Sequence, residues 1–408
     1  MKIALFTDSF HPYISGVTFA VLNQANELVR QGHEVAIFRP KPIKHKDCSN
    51  PEHLDPAIQI HDVLFSIPLR KMPTLHITIP TFFLSTFKHV KAFSPDVIHA
   101  HSEWGCGWEA AFAAKVLHVP LVGTFHAFWN DPAYLRNLHL PTTPFFQKMM
   151  QKYCNMFFNR CNKVICPSQY VEKHLLQGGI KTKPITVSNG IHMPPLLNQD
   201  TINKQRAEYD IHGTAFIYVG RISQEKSLPL ALKAFAEIKK KYPDTTFILL
   251  GGGPMEDDIR QLISELQLSD SVVMPGRVPH HRLIEENLFR LGDVFVTAST
   301  TENQPVSILE GISFGLPVIA AAARGNPELV SDSANGLLFE PDNIDELINS
   351  MTYVLENPEK RKQMGASSRR MAEERHSITQ VGAKLLDVYQ EAYNEIMSKR
   401  QTKINNSE

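Results

Sequence analysis

A chain of 408 residues, 43% of them hydrophobic and 21% charged, has the balance of a globular protein long enough for two separate cores. No apolar run approaches the roughly 20 residues that cross a bilayer, which sets aside a membrane-spanning helix. Net charge is zero, yet residues 1–190 carry 19 Lys and Arg against 12 Asp and Glu, together with 13 of the 18 histidines, so the remainder is correspondingly acidic. Such asymmetry suggests that the first half faces an anionic partner, with membrane phospholipid the preferred one and an uneven surface without a partner the alternative. No nucleic-acid partner is expected.

The chain opens with an apolar run over residues 3–6. Asp8 and His11 interrupt what would be the core of a signal peptide, so this run reads as a buried strand. Val17, Val21, Ala25 and Leu28 then repeat at helical spacing. Further strand-like runs cover 35–38, 97–99, 120–123 and 164–166. A second series covers 215–219, 247–250, 272–274, 294–296 and 318–320. Strands alternating with helical patterns indicate two parallel α/β sheets.

Ser188-Asn189-Gly190, followed by Met193-Pro194-Pro195, marks the boundary between domains 1–190 and 191–377. The charged segment over 359–399 reads as helical, and residues 401–408 as a mobile tail. The five cysteines (Cys48, Cys106, Cys154, Cys161 and Cys166) include no C-x-x-C pair, and a reduced, cytoplasmic setting is the simplest reading.

Neither G-x-x-x-x-G-K-[ST] nor G-x-G-x-x-G occurs, which argues against an NTPase or a simple dehydrogenase. His99-Ala100-His101 could ligate a metal at a strand end, but no complementary Asp or His set recurs at later strand ends, and no metal is expected. Two stretches are rich in aromatics and cations. One runs from Leu69-Arg70-Lys71 to Phe93, with Phe82, Phe83, Phe87, Val90 and Ala92 or Phe93 on one face beside Lys88 and Lys91. The other runs from Phe145 to Lys163. Both suit an amphipathic helix in a membrane interface, or the buried face of an ordinary helix.

The most informative stretch is TENQPVSILEGISFGLPVIA, residues 301–320. Pro305 suits the first helical position, and Val306, Ile308, Leu309 and Ile312 supply an apolar face. Glu302 then lies in the strand-to-helix loop and Glu310 about two turns inside the helix. The amides from Asn303 to Ser307 point at whatever occupies the crevice, an arrangement suited to anions or hydroxyl-rich ligands. Upstream, Gly220-Arg221 and Lys226 place two cations at the mouth of another strand, where they can neutralise a diphosphate leaving group.

Glu302 and Glu310, followed by Gly311, Gly315, Leu316, Pro317 and Val318, resemble the signature of retaining glycosyltransferases of the GT-B fold, family four. The N-terminal strand, glycine loop and first helix resemble that family too. DVIHAHSEWG, VPLVGTFHAF, VICPSQYV, ITVSNGI, FIYVGRISQEKSL and FILLGGGP follow in its order. The resemblance implies two facing Rossmann-like, doubly wound α/β domains with a cleft between them. Domain 1–190 would bind the acceptor and domain 191–377 the nucleotide sugar, with helix 378–400 packing back on the first.

It also implies roles. Arg221 and Lys226 bind the diphosphate, Glu310 the ribose hydroxyls, and Glu302 a sugar hydroxyl beside the reacting carbon. Gly16 lets backbone approach the diphosphate or acceptor, His126 contacts the transferring sugar, and Arg277-Val278 hold the base through backbone groups. The family's frequent Phe-Gly after the first glutamate is replaced here by Gln304-Pro305 with Asn303 before it, which leaves the hexose open.

The SGVT loop and TENQPVSILEG look most similar to bacterial enzymes that glycosylate diacylglycerol. The implied reaction is retaining, metal-independent transfer of a hexose from a nucleoside-diphosphate sugar, UDP-glucose foremost, to a membrane lipid at the inner face of the cell membrane, with no cofactor. The alternatives are a soluble acceptor such as a sugar phosphate or thiol precursor, a sugar-nucleotide epimerase, and a catalytically silent binding protein.

Overall fold

A computed structural model describes residues 1–13, 15–42, 53–69, 72–82, 85–137 and 140–405. The chain divides into two compact units, one of Met1–Gly190 with Ile378–Glu408 and the other of Ile191–Ser377.

The strands of the first unit are β1 (Lys2–Phe6), β2 (Glu34–Pro40), β3 (Gln59–Val63), β4 (Ser66–Leu69), β5 (Met72–Thr78), β6 (Val97–Ala100), β7 (Leu121–Thr124), β8 (Lys163–Cys166) and β9 (Pro184–Thr186). Its first six helices are α1 (Gly16–Arg30), α2 (Ser85–Phe93), α3 (Gly105–Leu117), α4 (Pro132–Asn137), α5 (Pro144–Phe158) and α6 (Gln169–Gln177). Seven strands form one parallel sheet in the order β3-β2-β1-β6-β7-β8-β9, and β4 and β5 make a separate antiparallel hairpin. Alternation along β1 shows how the sheet is covered on both faces. Ala4 and Phe6 join one core with α3, α5 and α6, whereas Ile3 and Leu5 join another with α1.

The second unit carries α7 (Gln199–Glu208), α8 (Leu228–Lys241), α9 (Glu256–Glu265), α10 (His280–Glu285), α11 (Val306–Ser313), α12 (Asn326–Leu329), α13 (Ile344–Glu356) and α14 (Pro358–Met371). Its strands are β10 (Thr214–Val219), β11 (Thr245–Leu250), β12 (Val272–Gly276), β13 (Val294–Thr297), β14 (Val318–Ala321) and β15 (Gly336–Phe339). They form a parallel sheet ordered β12-β11-β10-β13-β14-β15, again with a core on each face. The final helix, α15 (Ile378–Asn405), returns to the first unit, where Val381, Leu385, Val388 and Tyr389 pack into the core beside α1. It continues through residues 401–405, where a tail had been expected, and 406–408 lie outside the described residues.

Both sheets reverse strand order at one place, between β1 and β6 in the first unit and between β10 and β13 in the second. Ligands of doubly wound sheets bind at the carboxyl ends of the strands at such a reversal.

The two aromatic stretches part company. Val90 and Phe93 of α2 are buried and Phe87 packs against the core, while Lys88 and Lys91 stay exposed. Its apolar face is therefore core, not a membrane surface; Phe83, Arg70 and Lys71 lie outside the described residues. Helix α5 differs: Met150, Cys154, Phe157 and Phe158 face inward, but Phe145, Met149 and Met156 are exposed beside Lys148 and Lys152. Four of the cysteines, Cys106, Cys154, Cys161 and Cys166, are free thiols and buried, and Cys48 lies outside the described residues.

Candidate active site

In the second unit the strand reversal brings the β10 and β13 loops together. Beyond β10 come Gly220 and an exposed Arg221, then a single 3-10 turn, Gln224–Lys226. The loop is clamped from below by the glycines after β11. A Cβ on Gly251 would lie 1.8 Å from the Gly220 carbonyl oxygen, and one on Gly253 would lie 2.2 Å from that of Ile222. Only glycine allows so close a backbone approach. Beyond β13 come Ser299 and Glu302.

Lys226 Nζ ion-pairs with Glu302 Oε1, each side chain about 20% exposed, and Ser299 Oγ donates to the same oxygen at 3.1 Å. Burial pushes the Glu302 carboxyl up, but the Lys226 charge, hydrogen bonds from Lys226 and Ser299, and the nearby Arg324 outweigh it, so its pKa lies below the usual range. Glu302 is therefore ionised at neutral pH. The loop is held against the turn after β14: the Gly325 amide donates to the Glu302 carbonyl at 3.1 Å, and Asn326 Nδ2 donates to the Ser299 and Ala321 carbonyls at 3.1 and 2.9 Å.

Helix α11 starts at Val306, with Pro305 as its N-cap rather than its first helical residue, and no side chain caps it. Proline has no N–H to lose there. Asn303 is half-buried and Gln304 buried in the turn leading to the helix. Glu310 lies about one turn inside the eight-residue helix, not two. It is buried, and His280 Nε2 donates to its Oε1 at 2.5 Å. His280 opens α10, just after the β12 loop, where Gly276 has φ +86°, Arg277 is exposed and Val278 packs against the core. Sequence reading missed His280 and Ser299, whose roles come from contacts across 30 and 3 residues respectively.

In the first unit, Gly16 is the first residue of α1 and is exposed. Ser15 caps this helix, its Oγ accepting the Thr18 amide at 3.2 Å. His126 lies just beyond β7, with Nε2 at 3.2 Å from His101 Nδ1. The His99 ring lies 4.0 Å from the His101 ring, tilted by 38°, and is held at both nitrogens, 2.7 Å from Tyr389 Oη and 2.7 Å from Thr124 Oγ1. That double hydrogen bond makes His99 a structural residue. Burial lowers all three histidines, His99 to about 3 and His126 to about 4, so the cluster is neutral at physiological pH. Among the described residues no group of three or more His, Cys, Asp or Glu side chains is arranged to hold a metal ion.

Burial acts on the carboxyls here as well, in the opposite sense. Asp8, just after β1, accepts from the Thr78 amide at 3.0 Å, Ser102 Oγ at 2.5 Å and the Cys106 amide at 3.2 Å, yet burial still raises its pKa. Burial likewise pushes Glu103 up to about 8.

Comparison with known proteins agrees with this architecture. Residues 14–193 match the model "Glycosyltransferase Family 4", and residues 201–371 match "Glycosyl transferases group 1". The alpha-monoglucosyldiacylglycerol synthase of Acholeplasma laidlawii is 27% identical over 88% of this chain and 89% of its own length. The Streptococcus pneumoniae protein of the same name is 28% identical over 83% of this chain and 75% of its own. The crystal structure of Anabaena HepE in complex with UDP-glucose superposes with a TM-score of 0.73 at 20% identity, covering 96% of this chain and all of that one, a likeness of fold.

Proposed function

We propose, from a chain that belongs to the glycosyltransferases of family 4 and group 1 and shares their GT-B architecture, that this enzyme moves glucose from UDP-glucose to diacylglycerol or a closely related lipid, retaining the anomeric configuration. The observation that carries the donor half is the Lys226–Glu302 ion pair at the strand reversal of the second unit, with Arg221 on the same loop and the uncapped start of α11 beyond it. An ammonium group already balanced by a carboxylate can be shared with an arriving diphosphate at little desolvation cost.

Each group has a task. Arg221 and Lys226 take up the negative charge that grows on the diphosphate as its bond to the anomeric carbon lengthens. Glu302, held ionised, accepts from a sugar hydroxyl and faces the positive charge developing at the ring. Glu310, fixed by His280, accepts from the ribose hydroxyls. The turn Asn303-Gln304-Pro305 and the amide of Val306 hold the remaining sugar hydroxyls, and Gly276-Arg277-Val278 hold the base. In the first unit Gly16 opens α1 for close backbone approach, and neutral His126 donates to the sugar without adding charge.

The acceptor oxygen bonds to the anomeric carbon as the carbon–oxygen bond to the diphosphate breaks, on the same face, and the acceptor's proton passes to the departing diphosphate oxygen. Charge and atoms balance without a separate protein base or a metal ion. The lipid half of the proposal is supported by the relatives' names and by α5, whose exposed Phe145, Met149 and Met156 alternate with Lys148 and Lys152 as an interfacial helix requires. Such a surface would place the enzyme on the cytoplasmic leaflet as a peripheral protein.

The test is product mass after incubation with a panel of sugar nucleotides and diacylglycerol in anionic vesicles. A hexosylated lipid formed from UDP-glucose is expected. Donor hydrolysis without a lipid product would leave the donor site standing and remove the lipid acceptor.

A further inference from the structure

The loop between β6 and α3 lies at the strand reversal of the first unit and holds a group of polar atoms the reaction above does not use. Glu103 is 4% exposed, and its Oε1 has no hydrogen-bond partner. The Trp104 indole nitrogen and His101 Nε2 are also buried without partners. An unpaired buried polar atom costs about 1–3 kcal/mol, so three within four residues mark a place where an ordered water or a ligand hydroxyl is stabilised.

Aromatic rings surround the loop. Trp104 lies 4.7 Å edge-on to Trp129 and stacks 5.1 Å from Tyr153. Trp129 hydrogen-bonds the Glu103 carboxyl, Tyr153 Oη donates to the Glu103 carbonyl at 2.8 Å, and Trp108 donates to Tyr153 at 3.0 Å. Trp104, Trp108 and Trp129 are all three tryptophans of the chain.

We propose that Glu103 and Trp104 form the subsite that holds the neutral, hydroxyl-bearing end of the acceptor, beside the walls of Trp129 and Tyr153. This deepens the transfer reaction proposed above and rests on it. A protonated carboxyl both donates and accepts, and the indole N–H donates, which matches one hydroxyl's needs. The aromatic faces suit the C–H surface of a glycerol unit or a sugar ring. A phosphate fits poorly: it would approach the Asp8 carboxyl at the neighbouring strand end with no cation from the loop to balance it. The class of acceptor is therefore a neutral diglyceride, glycolipid or sugar, not a sugar phosphate.

The inference has its own readout, because all three tryptophans lie in this loop or in the elements packed beside it. Wild-type protein with UDP present is titrated with dioctanoylglycerol, glucose and glycerol 3-phosphate. A saturable fluorescence change is expected with a neutral probe and not with the phosphate. Glu103→Leu should weaken that binding at least tenfold while UDP affinity stays put. Groups facing Glu103 are Asp8 from the end of β1 and Tyr153 and Cys154 from α5. Ionisation of Glu103 near pH 8 should therefore weaken neutral-probe binding in wild type, and the isosteric Glu103→Gln should remove that step.

Equal binding by wild type and both variants, within twofold, would overturn the subsite. So would no fluorescence response to any neutral probe, or equally tight binding of glycerol 3-phosphate. Probe binding that depends on Glu103, with no hexosylated lipid in the mass experiment, would instead uphold the subsite and remove the lipid reading.

Discussion

The two units build their strand-reversal loops from opposite electrostatics. In the second, charges are kept and paired, Lys226 with Glu302, and Glu310 is hydrogen-bonded to His280. In the first, charges are suppressed: burial leaves His99, His101 and His126 deprotonated and keeps Glu103 protonated at neutral pH. The same parallel-sheet scaffold thus makes one site suited to a diphosphate and another suited to neutral hydroxyls. The difference comes from a few side chains at strand ends, not from the fold.

The comparison breaks most readily at Lys226. Replacing it with alanine removes the proposed partner of the diphosphate and strands an ionised, largely buried Glu302. A fall in kcat of about 10²–10³ is expected, read by steady-state transfer assays. Lys226→Ala combined with Glu302→Gln should cost less than the two single losses multiplied, because the pair acts as a unit.

Acid should find the first unit. His126 has an ordinary pKa of 6.5 and a folded value of about 4. Between those values the unfolded chain binds a proton that the folded chain refuses, so stability falls as pH drops through that window. The loss amounts to about 3 kcal/mol for this residue. Glu103 works in the opposite sense: its folded pKa is raised, so its contribution is complete below the usual 4.5 and lost as pH rises to about 8. Denaturant titrations across pH 4–8 should show His126→Asn flattening the acid side and Glu103→Gln the alkaline side. Unchanged profiles in both variants would mean that neither group is shielded as described.

A smaller effect is expected at Glu310. Its replacement by alanine should weaken UDP binding by about 10–100-fold, as loss of hydrogen bonds to a charged group predicts. His280→Ala should cost only a few-fold if it acts solely through the Glu310 carboxylate it hydrogen-bonds; calorimetric titration with UDP separates the two. The mildest change is at α5. Phe145→Ser with Met149→Ser should reduce partitioning onto anionic vesicles by on the order of tenfold, with transfer to a water-soluble short-chain acceptor unaffected.

Much of this was legible in the sequence because central strands announce themselves. Residues 3–6, 215–219, 247–250 and 318–320 are apolar runs, and each lies in a strand buried on both faces. The strands β3, β9 and β15 went unread because each is the outer member of its sheet, short or mixed in polarity. Composition left α2 open between two readings, because a face of Phe87, Val90 and Phe93 is indistinguishable by spacing from an interfacial one until its neighbours are known.

At the site, Glu302 and Glu310 stand out through their spacing and the helix between them. Their partners do not: Lys226 and Glu302 are separated by 76 residues, and His280 and Glu310 by 30. The neutral loop of Glu103 was equally silent, since nothing in SEWGCGW distinguishes a protonated glutamate from a solvated one. Burial decides that, and burial is a property of the fold.

The most direct test of the central claim is the anomeric configuration of the lipid product made from UDP-glucose, read by proton NMR. The account predicts an α-glucoside, the donor's own configuration, because the diphosphate held by Arg221 and Lys226 receives the acceptor's proton on the face it leaves. A β-glucoside would contradict it, since inversion requires a base on the opposite face and a different assignment of Glu302 and His126.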